Sequence, residues 1–201
     1  MKQTPYWTDN TPRPEDLSSK GTPTDVDVAI VGSGYTGFSA AIEIAKAGLS
    51  VAVFEKETIG WGASSRNGGL MVVGLFVTVD QLEKRYGKET AKAFYKWSRD
   101  SIDFVEKLVK KEKIDCDLDR SGEIFLASKP SHYSYMVENH RYMNDEYGVD
   151  DAVIIPPNEI NDEIGSPIYH GGIFEKGGAG IDPAKYVYGL AGVSKKYGVQ
   201  I

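Results

Sequence analysis

Cysteine, basic residues and long apolar runs are scarce in the sequence, and each scarcity excludes a class of protein. A single cysteine, Cys116, cannot form an internal disulfide, which excludes a secreted cross-linked scaffold. Basic residues are outnumbered, 23 Lys and Arg against 29 Asp and Glu, and the net charge of −6 argues against a nucleic-acid or anionic-membrane surface. The longest stretch poor in polar residues, Gly68–Val79, has about twelve residues and is too short to span a membrane.

Neither the start of the chain nor its composition indicates export or disorder. Met1–Trp7 lacks the apolar run of roughly 7–15 residues that a signal peptide needs. Hydrophobic residues make up 41% of the 201 residues, which is enough apolar surface for a core. We therefore expect a soluble, cytoplasmic protein with no nucleic-acid partner and no membrane-spanning segment.

Metal ligands are also scarce. The three histidines, His132, His140 and His170, show no metal-ligand spacing. The alternating acids of Asp115–Asp119 resemble the start of a calcium loop, but Arg120 stands where that loop requires glycine. The sequence therefore predicts no metal site.

A glycine-rich loop lies between a predicted strand and a predicted helix. Val26–Val31 is a short β-branched run, the pattern of a strand buried on both faces. Gly32–Gly37 has the form G-x-G-x-x-G, and the helix formers after it continue to a stop at Gly48. Val51–Glu55 is a second buried strand, which completes a β-α-β unit.

The glycine spacing fits a loop that holds a dinucleotide. Gly32 permits a tight turn, Gly34 lets the backbone approach a pyrophosphate, and Gly37 lets the helix pack against the strand. The helix N-terminus offers N–H groups and a favourable dipole to the anion. Glu55 ends the next strand, 21 residues after Gly34, where an acid can accept hydrogen bonds from a ribose hydroxyl.

Other nucleotide and hydrolase sites fit less well. The segment comes close to a P-loop, but Phe38 stands where the phosphate-binding lysine is required. NADP is disfavoured because Glu55 repels a 2′-phosphate, although neighbouring Lys56 weakens that repulsion. Gly62–Arg66 lacks the closing glycine of a nucleophile elbow, which disfavours a serine hydrolase. FAD and NAD both remain open on the first loop alone.

A second glycine-dense stretch, Gly60–Gly69, follows shortly after Glu55 and favours FAD over NAD. It combines four glycines with small residues and Arg66-Asn67. This composition indicates backbone that lies close to a second part of a long ligand.

Hydrophobic periodicity predicts further elements downstream. They are helices over 80–113 with a break at Gly87, a strand over Gly122–Ala127, a helix over Ser131–Tyr147, a strand at Val153–Ile155, a helix from Asp182 to Tyr197 and a strand beginning at Val199. Within the helical region 80–113, steps of three and four residues put one set of side chains on a single face of an amphipathic helix: Phe94, Trp97, Ser101, Val105 and Leu108. The predicted parallel strands are too few for a sheet with both faces covered, and the apolar stretch Leu70–Val77 has no obvious cover. We therefore expect these 201 residues to be the first half of a longer architecture.

The run from Asp27 to Gly69 resembles the glycine oxidase, D-amino-acid oxidase and sarcosine oxidase family of FAD enzymes. It looks most like the γ-glutamylputrescine oxidoreductase branch, which shares the R-N-G-G form and an aromatic N-terminal arm. Residues further along that also fit the family pattern are Gly165-Ser166, Tyr169, Gly171-Gly172 and Gly180–Pro183.

The resemblance implies an α/β fold and a set of cofactor contacts. The fold is a Rossmann-like FAD-binding domain of the glutathione-reductase type with part of an α+β substrate domain. The implied contacts are Gly32, Gly34, Tyr35, Thr36 and Gly37 for the pyrophosphate, Glu55 and Lys56 for the adenosine, and Ala63, Ser64, Asn67, Gly68, Gly69 and Leu70 along the flavin. Arg66 contacts phosphate or flavin, or forms a structural salt bridge. No catalytic residue is implied, because substrate-gripping residues of the family come mostly from later in its fold.

The resemblance also implies a domain order and a reaction. We expect an irregular arm over 1–24, FAD-binding residues over 25–118, part of a substrate domain over 119–176, and a return to the FAD-binding domain over 177–201. The implied reaction oxidises the C–N bond of a small amine or amino acid by hydride transfer to flavin N5. Two alternatives stay open: a non-catalytic flavin-binding subunit that pairs with a copy of itself or with a chain completing the fold, and an NAD-dependent Rossmann enzyme.

Overall fold

The computed structural model describes residues 3–15, 17–19, 21–23 and 25–201. Within these residues the helices are α1 (Tyr6–Asn10), α2 (Tyr35–Lys46), α3 (Val79–Tyr86), α4 (Lys88–Glu112), α5 (Pro130–Tyr147), α6 (Ile160–Ile164) and α7 (Pro183–Lys196). The strands are β1 (Val28–Val31), β2 (Val51–Phe54), β3 (Leu70–Met71), β4 (Glu123–Leu126), β5 (Ala152–Ile155), β6 (Gly172–Glu175) and β7 (Ala179–Gly180).

The chain forms two compact units, each built from separate segments. Unit 1 comprises Met1–Leu70, Glu106–Leu118 and Ile181–Ile201. Unit 2 comprises Met71–Val105 and Asp119–Gly180. Residues 71–105, which the sequence analysis groups with the FAD-binding segment, therefore cluster with the segment expected to be part of a substrate domain.

Unit 1 is built on a parallel sheet. Strands β1 and β2 run parallel, with Val28 opposite Val51. Gln200 forms an isolated parallel bridge beside β2, in which its backbone N–H donates to Val51 O at 3.0 Å and its carbonyl accepts from Val53 N at 2.8 Å. The bridge lies where a strand is predicted to begin at Val199, and the strand itself stays a prediction.

Helices α2 and α7 supply most of the core of unit 1. Helix α2 contacts both strands and also packs against α7. Its inward face is formed by Phe38, Ala41 and Ile42, which are almost completely buried. On α7, Val187 and Leu190 are likewise fully buried. These side chains give the parallel sheet a hydrophobic cover on the α2 side.

Strand β1 corrects the expectation of a strand buried on both faces. Ala29 is exposed and Val31 is 90% exposed, whereas Val28 and Ile30 on the other face are partly buried. Within the described residues, helix α2 covers one face of β1 and leaves the other open to solvent. An apolar β-branched run indicates a strand, but the second covering layer depends on other segments.

The sequence analysis expected an irregular N-terminal arm, but part of the arm is helical. Residues Tyr6–Asn10 form α1, which follows the N-cap residue Pro5. Side chains of this arm form hydrogen bonds with the rest of unit 1, and these long-range contacts carry no signal in the local sequence. The arm residues Met1, Lys2, Asp16, Lys20 and Thr24 lie outside the described residues.

Unit 2 is an antiparallel sheet with helices. Its strand order is β4-β6-β5, so β6 pairs with both neighbours. Helix α5 ends at Gly148, which has the left-handed conformation that favours glycine at a helix end. A hydrophobic cluster forms between α5 and the sheet from Met143, Val149, Ala152 and Ile173. The sequence analysis predicted β4, β5 and α5 but missed β6 and α6.

The buried face of α4 agrees with the predicted one only in part. Leu108 is buried and Phe94 and Val105 are half-buried as expected, whereas Trp97 is 62% exposed and Ser101 is exposed. Buried or half-buried positions also follow steps of four and three residues: Ala91, Tyr95, Ser98, Ile102, Val105 and Val109. The small residues Ala91 and Ser98 allow close packing there.

The predicted helix boundaries at Gly87 and at Asp182-Pro183 are confirmed, and in both places the properties of single residues set them. Gly87 separates α3 from α4 and has φ of 82°, a conformation that most other residues avoid. Asp182 caps α7, its Oδ1 accepting from Ala184 N at 2.8 Å and Lys185 N at 2.9 Å. Pro183 occupies the first helical position, where its missing N–H does no harm.

Candidate functional site

The first glycine loop has the geometry that its spacing predicts. Gly32 leaves β1 with φ of 100°, and its N–H donates to Phe54 O of β2 at 2.8 Å. A Cβ on Gly37 would lie 2.1 Å from the carbonyl oxygen of Gly32. No side chain fits at position 37 without moving the loop, so the helix can approach the strand only because this residue is glycine.

Helix α2 begins at Tyr35, within this loop. Gly34 is its N-cap residue and provides no side-chain hydrogen bond. The first N–H groups of a helix lack partners within the helix, which leaves them available to an anion. One of them is occupied, because Tyr35 N donates to Ser64 Oγ at 3.1 Å. Thr36 in the same turn is exposed.

Glu55 closes the loop from the end of β2. Its Oε2 accepts from Ser33 N at 3.0 Å and from Ser33 Oγ at 2.7 Å, and its Oε1 accepts from Glu57 N at 2.9 Å. Partial burial raises the pKa of Glu55, but the hydrogen bonds from Ser33, Glu57 and Lys56 outweigh it and leave the pKa below its usual value. The carboxylate is therefore ionised at neutral pH.

A cavity of about 350 Å³ opens beside Glu55. Arg13 and Ser18 from the N-terminal arm line it together with Thr58 and Ile201. The hydroxyl Oγ1 of Thr58 is buried and has no hydrogen-bond partner within the described part of the chain. An unpartnered hydroxyl and an ionised carboxylate at one cavity are suited to a ligand that carries hydroxyls, such as a ribose.

Lys56 is placed differently from Glu55. Its side chain is 91% exposed, and its ammonium lies 3.7 Å from the carboxylate of Glu57. The contact with adenosine that the resemblance implies for Lys56 stays a prediction.

The second glycine segment folds against the first. Ala63–Ser65 forms one turn of 3₁₀ helix, and Ser65 Oγ donates to Gly60 O at 2.6 Å. Gly60 N in turn donates to Ser33 Oγ at 3.1 Å. A Cβ on Gly34 would lie 2.8 Å from Ser64 Oγ, so the two segments approach each other closely at that point.

Asn67 and Gly69 fix the end of the second segment. Asn67 Nδ2 donates to Ala63 O at 3.1 Å, and Asn67 Oδ1 accepts from Gly69 N at 2.8 Å. Gly69 is buried with φ of 74°, and a Cβ there would lie 2.3 Å from the carbonyl oxygen of Ile181. Gly68 and Leu70 on either side are exposed.

Trp7 holds the same segment from the N-terminal arm, which the sequence analysis did not foresee. Its indole Nε1 donates to Asn67 O at 2.8 Å, and its ring carbon Cζ2 lies 3.2 Å from the position that a Cβ of Gly69 would take. Thr11, which directly follows α1, donates from Oγ1 to Asp182 Oδ2 at 3.1 Å. Nothing in the local sequence around Trp7 signals these contacts.

Arg66 and Tyr35 make contacts within the protein, and the cofactor contacts that the resemblance implies for them stay predictions. The guanidinium of Arg66 lies 4.1 Å above the ring of Trp61 in a cation–π contact. The hydroxyl of Tyr35 donates to Pro183 O at 3.2 Å, and its ring lies 5.1 Å from that of Tyr186. Burial raises the pKa of Tyr35 to about 12, so its hydroxyl stays protonated.

Most of the predicted contact residues thus meet within unit 1. The loop Gly32–Gly37, Glu55 and the segment Ala63–Gly69 are joined by direct hydrogen bonds. Ser33 also joins this arrangement and is missing from the sequence analysis, although its place between the first two glycines was a usable signal. Its buried side chain connects the end of β2 with the second glycine segment.

Other candidate chemistries find little support in the geometry. In the part of the chain that the structure describes, no three His, Cys, Asp or Glu side chains are grouped so that they could hold a metal ion. Cys116 is buried, and burial raises the pKa of its thiol to about 11.

None of the described helices is both long and apolar enough to cross a membrane.

Comparison with known proteins identifies relatives over most of the chain. The family model described as "FAD dependent oxidoreductase" matches residues 27–201. The γ-glutamylputrescine oxidoreductase of Escherichia coli is 34% identical over 165 residues, which are 82% of this chain and 38% of that protein. The probable oxidoreductase OrdL of Haemophilus influenzae is 31% identical over 175 residues, 87% of this chain and 40% of that protein. The chain thus spans about two-fifths of these relatives' length.

A solved structure supports the fold. Glycine oxidase from Geobacillus kaustophilus matches with a TM-score of 0.67 at 22% identity, over 87% of this chain and 45% of that one. At this identity the likeness shows the fold alone. It confirms the predicted α/β fold of FAD-dependent oxidases, and the family match decides between FAD and NAD in favour of FAD.

Proposed function

Because the chain belongs to the family of FAD-dependent oxidoreductases, we propose that it forms the FAD-binding part of an enzyme that oxidises the C–N bond of an amine or amino acid. The observation that carries the proposal is the joined pair of glycine segments. Ser33 and Ser64 link the N-terminus of α2, the carboxylate of Glu55 and the second segment into one constellation.

Each part of this constellation has a role toward the cofactor. The pyrophosphate of FAD binds at the N-terminus of α2, along Gly32, Gly34 and the backbone of Tyr35–Gly37. The ionised carboxylate of Glu55 accepts hydrogen bonds from the adenosine ribose, in the cavity that Thr58 also lines. The donors are backbone N–H groups, and hydrogen bonds from Ser33 and Glu57 hold the carboxylate of Glu55, so little reorganisation is needed on binding.

The second segment lies along the flavin end of the cofactor. Its contacts are Ala63, Ser64, Asn67, Gly68, Gly69 and Leu70. The small residues let the backbone approach the cofactor, and the side-chain hydrogen bonds of Asn67 with Ala63 O and Gly69 N fix the conformation of the segment. Bound FAD supplies the hydride acceptor, whereas this part of the protein binds and orients it.

The substrate class rests on the relatives. The names γ-glutamylputrescine oxidoreductase and glycine oxidase denote enzymes that act on an amine derivative and an amino acid. An amine or amino acid is therefore the substrate class that we propose for the whole enzyme. No residue of this chain is assigned to the proton or hydride transfer.

Titration of the purified chain with FAD tests the proposal. We expect about one FAD per chain, retained as flavin absorbance after desalting. Glu55→Gln removes the charge that accepts the ribose hydroxyls and should weaken FAD binding by about 10-fold, the loss of a charge-assisted hydrogen bond. Glu43→Gln, a change of the same kind on the exposed side of α2, should bind FAD as the unsubstituted chain does. Equal FAD affinity of both variants would contradict the role of Glu55.

A second candidate function is favoured by the exposed apolar segment that follows Gly69. Leu70 is 74% exposed, Leu75 49% and Phe76 fully exposed. Contiguous apolar exposure of this kind is typical of an interaction surface. In this case the chain is a flavin-binding subunit that pairs with another chain. Sedimentation and the binding of an apolar dye test this candidate. A purified chain that sediments as a monomer and binds no dye would contradict it.

A further inference from the structure

Unit 2 contains an apolar cavity of about 410 Å³ whose lining residues all belong to that unit. This size falls within the range of roughly 300–1,000 Å³ typical of small-molecule sites. The sheet contributes Phe125, Ala152 and Ile173 to the wall, and helix α5 contributes Met136 and Met143. Methionine side chains adapt their shape readily, which suits a wall that receives a ligand.

One carboxylate stands in this apolar lining. Glu175 ends β6 and lies on the same face of the sheet as Ile173. The charged groups that influence it are Glu123, opposite it on β4, Asp151 before β5, and Arg99 on α4. Arg99 is already engaged, because its guanidinium donates to both carboxylate oxygens of Asp151, at 3.0 and 2.5 Å.

The surroundings of Glu175 therefore hold more negative than positive charge. Glu123 and Asp151 both act on Glu175 as negative charges, and the guanidinium of Arg99 that opposes them is bound to Asp151. Tyr95, which also lines the cavity, stays neutral because burial raises the pKa of its hydroxyl to about 12. A ligand that enters this cavity meets apolar walls and an uncompensated carboxylate.

A second polar atom of the lining lacks a partner. The Nδ1 atom of His140 on α5 is buried and makes no hydrogen bond with any residue that the structure describes. Buried ring nitrogens normally find a partner in the protein or in a bound molecule. The cavity thus offers a ligand both a negative charge and a free hydrogen-bonding position.

We propose that this cavity binds a small organic ammonium ion with an apolar body, its ammonium on Glu175 and its body against Met136, Met143 and Ile173. A neutral apolar ligand would leave the carboxylate without a partner in an apolar site, which is unfavourable. A divalent metal ion that enters without its water shell would lack the six to eight oxygen ligands that it requires. All lining residues belong to unit 2 and all proposed FAD contacts to unit 1, so this proposal and the proposed function can fail separately.

The ionisation of Glu175 makes the affinity depend on pH. Burial and the neighbouring carboxylates of Glu123 and Asp151 raise the pKa of Glu175 to about 7, with Arg99 acting in the opposite direction. At pH 6 the carboxyl is mostly protonated and must release its proton when an ammonium ion binds. At pH 8 it is mostly ionised already. An ammonium ligand should therefore bind about 10-fold more weakly at pH 6 than at pH 8.

The test uses the full chain without added FAD, titrated calorimetrically with benzylamine, which is an ammonium ion at both pH values. Benzyl alcohol, which has the same shape without the charge, is the control ligand. We expect one benzylamine per chain at pH 8, about 10-fold weaker binding at pH 6, and at least 10-fold weaker binding of benzyl alcohol at pH 8. The absence of benzylamine binding, or equal affinities for amine and alcohol, would overturn the proposal.

Two variants separate the charge from the cavity. Glu175→Gln keeps the shape but removes the charge, and it should abolish the pH dependence and weaken benzylamine binding at pH 8 by at least 10-fold. Glu163→Gln on the exposed side of α6 is its matched control and should change neither. Met136→Trp fills the apolar part and should weaken amine and alcohol alike. Unchanged benzylamine affinity of a folded Glu175→Gln variant overturns the proposal whatever the FAD titration shows.

Discussion

Ser33 shows how one side chain can join the parts of the proposed cofactor site. Its hydroxyl donates to Glu55 at 2.7 Å and accepts from the backbone of Gly60 at 3.1 Å, while the residue is only 1% exposed. A serine in a glycine-rich turn is easily taken for a spacer. Here it connects the strand end, the acid and the second glycine segment.

Ser33→Ala should destabilise the chain by about 1–3 kcal/mol, because it leaves the buried N–H of Gly60 without a partner and takes one donor from Glu55. The free energy of unfolding by urea measures the effect. Ser134→Ala is the control: Ser134 is exposed on α5 and bonds only to Pro130 O at 3.3 Å, so its loss should stay within about 0.5 kcal/mol. Equal effects of the two substitutions would contradict the role of Ser33.

Glu175 should make stability fall as the pH rises. Its pKa in the folded chain, about 7, lies above the ordinary value of 4.5, so the folded state binds more protons than the unfolded state between these values. The contribution of Glu175 is therefore fully present below pH 4.5 and is lost as the pH rises through 7.

The matching experiment compares urea unfolding at pH 5 and pH 8. Between these pH values the unsubstituted chain should lose about 1–2 kcal/mol relative to the Glu175→Gln variant, after allowance for the partial exposure of the carboxyl. An identical pH dependence in the two proteins would show that Glu175 has an ordinary pKa.

At the level of elements, the N-terminal helix α1 holds the second glycine segment. Five residues cannot form a stable helix alone, so contacts such as the Trp7–Asn67 hydrogen bond must stabilise it. The relation is mutual, since the same bond restrains the segment that we propose to lie along the flavin.

Trp7→Phe should weaken FAD binding by about 3- to 10-fold, because it deletes a hydrogen bond worth about 1 kcal/mol and keeps the aromatic packing. Quenching of flavin fluorescence on binding gives the dissociation constant. Tyr6→Phe is the neighbouring control, since Tyr6 is 70% exposed and its ring contacts that of Trp7 at 5.1 Å. A Trp7→Phe variant with unchanged affinity would remove α1 from the site.

Helix α7 carries two glycines that should respond oppositely to alanine. A Cβ at Gly189 would lie 2.2 Å from Cγ2 of Ile114, whereas a Cβ at Gly192 would meet nothing within 4 Å. We expect Gly189→Ala to lower the free energy of unfolding by about 1–3 kcal/mol through overpacking. Gly192→Ala should raise it by about 0.5–1 kcal/mol, because alanine is the better helix former. Thermal unfolding of the two variants measures both, and equal signs would contradict the packing of α7 on Ile114.

For the whole molecule, the sequence predicts best what the backbone chemistry of single residues decides. The turn at Gly32, the break at Gly87 and the start of α7 at Asp182-Pro183 all occur where expected, because positive φ, a missing N–H or a capping carboxylate acts locally. The dinucleotide loop belongs to this class, because the spacing of its glycines along the chain is enough to predict its form.

What the sequence does not predict depends on distant contacts. The arm around Trp7 folds because residues 60 positions away bind it. The exposure of Trp97 and Ser101 on α4 was not foreseen, since the partner surface decides which positions of a helix are buried. Strand β1 has the composition of a doubly covered strand, yet whether a second layer covers Val31 depends on other segments.

The central claim, that the loop Gly32–Gly37 and the segment Ala63–Gly69 together bind FAD, is tested most directly by residue-resolved NMR. Backbone amide signals of the isotope-labelled chain are followed as FAD is added. We predict the largest shift changes at Gly34–Gly37, at Ser64 and at Gly68-Gly69, saturating at one FAD per chain, with little change in strands β4 and β5. Saturable FAD binding that leaves the amides of Gly34–Gly37 unperturbed would contradict the account.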